Sequence, residues 1–125
     1  MKTMVYTRDH EWLEFSDSEV VIGITQHAQE QLGDVVFVEL PEIGDELMQG
    51  EEAVVIESVK AAGEIAAPLT GTVVAINESL VDAPELLNSD PEVEGWILKL
   101  SSTADVEMSD FMDQSQYQEF IQNGE

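Results

Sequence analysis

Apolar and polar positions alternate over short distances along most of this chain, and turn-forming residues break the alternation every several positions. A first strand signal lies at Val5-Tyr6. Glu11-Trp12-Leu13-Glu14-Phe15 follows, with Leu13 and Phe15 alternating against Trp12 and Glu14. Ser16-Asp17-Ser18 reads as a turn, and Glu19-Val20-Val21-Ile22-Gly23-Ile24 returns as the second arm of a hairpin. Thr25 is placed to N-cap a short helix over 26–32, whose Ala28 and Leu32 share an inward face, and Gly33 suits the left-handed residue past its end. A strand over 34–40 is closed by Pro41, 42–45 is a turn, 46–48 is briefly extended, and Gln49-Gly50 turns again.

Two apolar arms then meet at Lys60, spanning a hairpin of about 53–67. Pro68-Leu69-Thr70-Gly71 is a turn, 72–77 a strand, and Pro84 opens a short helix that Asn88 is able to end. After a loop at 88–91, a last strand covers 95–100. Met108, Phe111 and Met112 fit one helical face, and Tyr117, Phe120 and Ile121 another, so a helical segment of about 105–123 packs back on the sheet. Many short strands and no long helix make this a mostly β fold, a β sandwich or flattened barrel with helical decoration. A length of 125 residues suits one domain over 1–125, large enough for a single core without staples.

Composition narrows the function. The chain carries 27 acidic residues against four basic ones, Lys2, Arg8, Lys60 and Lys99, for a net charge of −23. That excess disfavours nucleic acid and anionic membranes as partners, since neutralising phosphate takes Lys and Arg. Disorder is the other reading of such charge, but 43% apolar content with regular periodicity opposes it. Two readings of the acidity stay open: a strongly solvated surface that resists association, as in a salty habitat, or an acidic face that steers docking to basic partners. There is no cysteine, so disulfides and thiolate metal sites are excluded. No apolar run approaches the ~20 residues that span a bilayer, and the N-terminal stretch lacks a signal-peptide core, so a cytoplasmic location is expected.

Candidate chemistry is sparse. Acidic pairs such as Glu51-Glu52 arise by chance at this composition, which strips a two-carboxylate mechanism of specificity. Asp9-His10-Glu11 with His27 lacks the spacing of a metal site, and no metal is expected. Gly-x-Ser-x-Gly is absent, and Gly44, Gly50, Gly63 and Gly71 sit beside turns at the wrong spacing for a phosphate loop. The chain therefore reads as non-catalytic. Lys60 remains, with Glu57 before it and Gly71 after it, at the bend of two apolar arms. A lysine there is either a solvated turn residue or the attachment point of a swinging arm, as in lipoyl and biotinyl carrier hairpins. In the second case a ligase has to deprotonate the amine before it attacks an activated acyl group.

Over nearly its whole length the chain resembles the H proteins of the glycine cleavage system. The resemblance rests on Tyr6-Thr7-Arg8-Asp9-His10-Glu11-Trp12, Gly23-Ile24-Thr25-Gln26-His27-Ala28-Gln29 and Leu32-Gly33-Asp34-Val35-Val36-Phe37-Val38-Glu39-Leu40-Pro41. It continues through Glu57-Ser58-Val59-Lys60-Ala61, Pro68-Leu69-Thr70-Gly71-Thr72-Val73 and Gly95-Trp96-Ile97-Leu98-Lys99. Biotin carriers usually have Met on both sides of the lysine, where this chain has Val59 and Ala61. Lipoyl domains of 2-oxoacid dehydrogenases typically place Asp before it and lack the His-Glu-Trp block.

The resemblance implies a lipoyl-domain-like β sandwich (a barrel-sandwich hybrid), with short helices near the N-terminal third and at the C-terminus. It implies lipoate on Lys60, with Glu57 and Gly71 at positions that a lipoate ligase or lipoyl/octanoyl transferase recognises. It also implies a carrier that takes an aminomethyl group from glycine dehydrogenase (decarboxylating) to a tetrahydrofolate-dependent aminomethyltransferase, and its dithiol to dihydrolipoamide dehydrogenase. Asp9, Glu11, His27 and Glu64 match residues of the cleft that shelters the loaded arm. Glu64 departs from the family, which usually has Asp there, preceded by Ser where this chain has Gly63. The rival readings are a carrier of this fold that relays lipoyl groups to other proteins, and a binding module with an unmodified Lys60.

Salt adaptation makes a checkable demand. If the acidity serves it, the thermal unfolding midpoint rises strongly between low salt and ~1 M NaCl, because screening relieves self-repulsion. A midpoint that stays put leaves the acidic docking face as the reading.

Overall fold

The computed structural model describes residues 3–7, 10–16, 19–60, 62–91, 94–101 and 111–122. The strands are β1 (Thr3–Tyr6), β2 (Glu11–Ser16), β3 (Glu19–Ile24), β4 (Val35–Glu39), β5 (Glu46–Leu47), β6 (Glu52–Ser58), β7 (Ala62–Ala66), β8 (Gly71–Ile76) and β9 (Leu98–Ser101). The helices are α1 (Gln26–Leu32), α2 (Ser79–Asp82), α3 (Leu86–Ser89) and α4 (Gln114–Gln122). The strands form a six-stranded sheet in the order β1-β2-β3-β9-β8-β5 and a three-stranded sheet in the order β4-β6-β7. Every pairing is antiparallel, and neither sheet closes into a barrel.

Period-two alternation explains the core. Leu13 lies opposite Ile22, and Ile22 opposite Leu98, so three fully buried side chains sit abreast on one face of the large sheet. Val20 and Val73 flank Leu100 in the same way. The small sheet presents Val38, Val54 and Ile56 to this face, with Val38 paired to Ile56. The outer face of the large sheet carries a second cluster, in which Tyr6 and Trp12 meet Tyr117 of α4. Trp12 lies over Gly23, its cross-strand partner, and its Nε1–H donates to the Pro91 carbonyl at 3.0 Å. A Cβ on Gly23 would stand 2.5 Å from the indole ring.

The local expectations hold at α1, where the Thr25 hydroxyl accepts from the Ala28 N–H and Gly33 follows at φ 77°. Elsewhere the structure differs. In β4 the alternation slips, because a bulge between Val35 and Phe37 leaves Val36 and Phe37 both exposed. Asn88 does not end a helix: it lies inside α3, and Asp90 follows as the C-cap. Helix α2, seated on the fully buried Leu80, has no counterpart in the sequence reading. The last strand begins at Leu98 rather than Gly95.

The C-terminal segment is corrected as well. Phe111 and Met112 are not helical. Met112 exchanges two backbone hydrogen bonds of 2.8 Å with Tyr6, capping the open side of edge strand β1. Met108 and residues 105–110 lie outside the described residues, as does part of the expected turn at 16–18. Helix α4 fits the expectation, with Tyr117 buried and Phe120 and Ile121 packed beside it. Among the described residues, no helix is long and apolar enough to cross a membrane.

The Trp12–Gly23 contact yields a direct test. The indole is fixed on both sides, so Gly23→Ala should destabilise the fold by about 1–3 kcal/mol in denaturant unfolding. Unchanged stability would mean that the ring has room to move.

Candidate functional site

Strands β6 and β7 are paired from Glu52 and Ala66 at one end to Glu57 and Ala62 at the other, which leaves Lys60 in the connecting turn. Two backbone contacts shape that turn. The Val59 N–H donates to the Asp34 carbonyl at 2.9 Å, and the Lys60 N–H donates to Ser58 Oγ at 3.3 Å. Val59 (67% exposed) and Lys60 both project outward. The aliphatic stem of Lys60 runs over Gly33: a Cβ there would stand 3.0 Å from Cε and 3.2 Å from Cδ. Gly33 thus serves twice, as the positive-φ residue that ends α1 and as a floor for the lysine.

Glu57 is exposed beside the turn, between Phe37 of β4 and Ala62 of β7. Gly71 is not brought to it. The chain runs away from Lys60 along β7, reaches Ala67 opposite Glu51, and starts β8 at Gly71, about 15–20 Å along the strands at ~3.3 Å per residue. Gly71 has a packing reason of its own, because a Cβ there would lie 2.9 Å from the Ser101 carbonyl oxygen.

A cleft of about 320 Å³ opens between α1 and the hairpin. Ala28 and Leu32 line one side and Ile56 and Ile65 the other, while His10 and Glu64 supply ionisable groups. Leu32, the last residue of α1, lines the cleft, and the next residue, Gly33, lies under the Lys60 stem; Lys60 itself is not part of the lining.

Of the residues singled out for the cleft, Asp9 lies outside the described residues. Glu11 is buried (3% exposed) at the start of β2, with Oε1 accepting from the Thr7 hydroxyl at 3.1 Å, and is not part of the lining. His27, half-buried in the first turn of α1, stacks obliquely on His10 with ring centroids 4.6 Å apart. Its Nε2 lies 3.0 Å from the side-chain amide nitrogen of Gln31, one turn further along α1. Glu64 lines the cleft but is exposed.

His10, weighed in the sequence only within a metal constellation and not among the expected cleft residues, lines the cleft together with the polar Gln31 and Glu64. It holds φ 66°, a left-handed conformation uncommon for a side-chain-bearing residue. Its N–H donates to the Thr7 carbonyl at 3.2 Å, and its own carbonyl accepts from Thr25 N–H at 3.0 Å. Its Nδ1 lies 2.8 Å from the Tyr117 hydroxyl, which is also 2.6 Å from the hydroxyl of Thr25. Helix α4 therefore reaches His10 through the buried Tyr117 phenol and the ring of Phe120, 5.7 Å from the imidazole between centroids. The signal in the sequence was a tyrosine on an apolar helix face, since a buried hydroxyl needs a partner. Among the described residues, no group of three or more His, Cys, Asp or Glu side chains is arranged to hold a metal ion.

Comparison with known proteins points the same way throughout. The glycine cleavage H-protein family model matches residues 4–124. The chain is 52% identical over 120 residues to a glycine cleavage system H protein of Thermotoga maritima, covering 96% of this chain and 97% of the relative. A protein of the same name from Legionella pneumophila is 50% identical over 121 residues, with 97% of both chains covered. In three dimensions, the crystal structure of a glycine cleavage system H protein from Mycobacterium marinum superposes with a TM-score of 0.85 at 37% identity, over 98% of this chain and 97% of that one.

Glu64 at the edge of the cleft also has like-charged neighbours. The Glu52 carboxyl is hydrogen-bonded to Glu64, and that bond, with repulsion from Glu64 and Glu39, holds its pKa above the ordinary carboxylate value. A pKa raised on folding means that the folded state binds more protons, so stability falls as pH climbs through the raised value and stays lowered at neutral pH. Glu52→Gln should therefore raise the melting temperature at pH 7 in low salt. The gain should vanish below about pH 4, where unfolded carboxylates protonate too. A gain that is independent of pH would point to something other than the Glu52–Glu64 charge.

Proposed function

The chain belongs to the glycine cleavage H-protein family, and we propose that it is the lipoyl-bearing carrier of the glycine cleavage system, with Lys60 as the attachment point. The observation that carries the reading is the exposed Lys60 at the hairpin turn, its stem lying over Gly33 at the end of α1, the helix that forms one wall of the cleft. The residues fit such a group. Lys60 Nζ is reachable from outside, and the apolar walls formed by Ala28, Leu32, Ile56 and Ile65 suit a hydrocarbon chain. When bound, lipoate supplies a redox-active disulfide able to accept and release a one-carbon amine, which no side chain of this cysteine-free protein provides.

Each part of the scaffold has a task in this reading. Glu57, beside the turn, is the feature that a lipoate ligase or a lipoyl/octanoyl transferase reads. Gly71 acts at a distance, by letting β8 close on β9. The cleft excludes water, and the carboxylate of Glu64 attracts a cationic amine toward its rim. His10 shapes the polar wall and His27 sets the tilt of the His10 ring, while Asp9 and Glu11 correspond by sequence to acidic residues of the family's cleft. The protein is a carrier rather than an enzyme. It acts in the cytoplasm and presents one arm in turn to the decarboxylating glycine dehydrogenase, the aminomethyltransferase and dihydrolipoamide dehydrogenase. Its acidity favours basic docking faces on these partners.

Intact mass spectrometry of protein from its own cells should show a lipoyl-sized increment that is absent in Lys60→Ala, with glycine-dependent exchange by the decarboxylating enzyme lost in the variant. An unmodified wild-type protein, in cells that lipoylate their other carriers, would overturn the reading. Neutralising Glu11 and His27 together should shorten the lifetime of the glycine-loaded form, and a wild-type lifetime would remove both from the cleft's work.

A further inference from the structure

Asn88 sits half-buried on α3, and its amide is engaged with the segment that underlies Lys60. Its Oδ1 accepts from the Val35 N–H at 2.8 Å. Its Nδ2 donates to the Gly33 carbonyl at 2.7 Å and to Gln29 Oε1 at 3.1 Å. The orientation of the amide is unambiguous, because the Val35 N–H only donates and the Gly33 carbonyl only accepts. Helix α3 is itself anchored by the fully buried Leu87.

Between the two backbone groups held by Asn88 lies Asp34, whose carbonyl receives the Val59 N–H. Gly33 is the floor under the Lys60 stem. Asn88 thus fixes a strap of 33–35, and the strap in turn holds one side of the carrier turn and supports its lysine. Without that amide, Gly33 O and Val35 N–H would lose their partner, and the Asp34–Val59 contact would rest on a loosened segment.

We infer that Asn88 is a positioning residue for the carrier lysine: it keeps the β6–β7 turn in the orientation that presents Lys60 to the enzyme that modifies it. This rests on the reading of Lys60 as the lipoyl attachment site. Pre-ordering the turn removes the cost of ordering it at each encounter, so its loss appears in the efficiency of attachment rather than in the final extent.

The test follows attachment by intact mass over time, using the unmodified full chain, a lipoate ligase, ATP and lipoate, alongside amide hydrogen exchange. Asn88→Ala should reach the same final extent with kcat/KM lowered about three- to tenfold, mostly through KM. The Val35 and Val59 amides should exchange faster, while those of Val54 and Ile56 keep wild-type protection. Asn88→Asp, which sets a carboxylate against the Gly33 carbonyl, should lose at least as much. Val73→Ala, a cavity in β8, should lower stability and leave the attachment rate unchanged. Wild-type attachment kinetics in Asn88→Ala despite faster Val59 exchange would overturn the inference. So would an equal slowing in Val73→Ala, which would trace the effect to stability alone. A wild-type protein that takes no lipoyl group at all fails the Lys60 reading itself, a result distinct from either of these.

Discussion

The burial of Val54 and Ile56 is the constraint on which the rest depends. These two side chains of β6 fill the space between the sheets, and strand geometry then sends Val55 and Glu57 to the other face. Slipping the strand by one residue would expose both apolar side chains and drive Glu57 into the core, where an unpaired carboxylate is very costly. The register is therefore fixed from the inside. With it fixed, the turn can fall only where Lys60 stands, at the end of the small sheet beside the C-terminus of α1. The placement of the Lys60 amine is a consequence of core packing several residues away.

The site assembles around that turn from segments distant in sequence. Helix α1 supplies a wall of the cleft and the Gly33 floor, the hairpin supplies the opposite wall, and His10 is held in place by a phenol from α4. The chemistry is asymmetric. The cleft walls are mainly apolar with a histidine, whereas at the exposed edge Glu64 hydrogen-bonds to and repels Glu52, with Glu39 nearby, which raises the pKa of Glu52. The cleft has negative charge at its edge and apolar groups along its walls. A partner meets a strongly acidic surface.

Local signals were legible where one residue type has one physical reason. The Thr25 cap, the glycine after α1, the Leu13 and Ile22 alternation and the 117–120–121 helical face could all be read directly, as could the hairpin with Lys60 at its bend. Long-range pairing could not. Met112 is extended because β1 needs a partner on its open side, a demand that comes from an element more than a hundred residues earlier. The left-handed His10, the β4 bulge and the three hydrogen bonds of Asn88 likewise answer to neighbours in space. Asn88 shows the difference well: a residue type suited to ending helices sits within one and serves a loop instead.

The phenol of Tyr117 has one more consequence. It touches His10 in the cleft wall and the Thr25 cap of α1, while its own helix lies on the opposite face of the large sheet. Displacing α4 therefore displaces a group that the cleft depends on, and filling the cleft in a way that fixes His10 holds α4 down. Thermodynamic linkage makes the two effects equal in free energy. The back of the molecule and its front are thereby joined through the Tyr117 hydroxyl and the ring contacts of Tyr117 and Phe120 with His10, and occupancy on one side is legible as rigidity on the other.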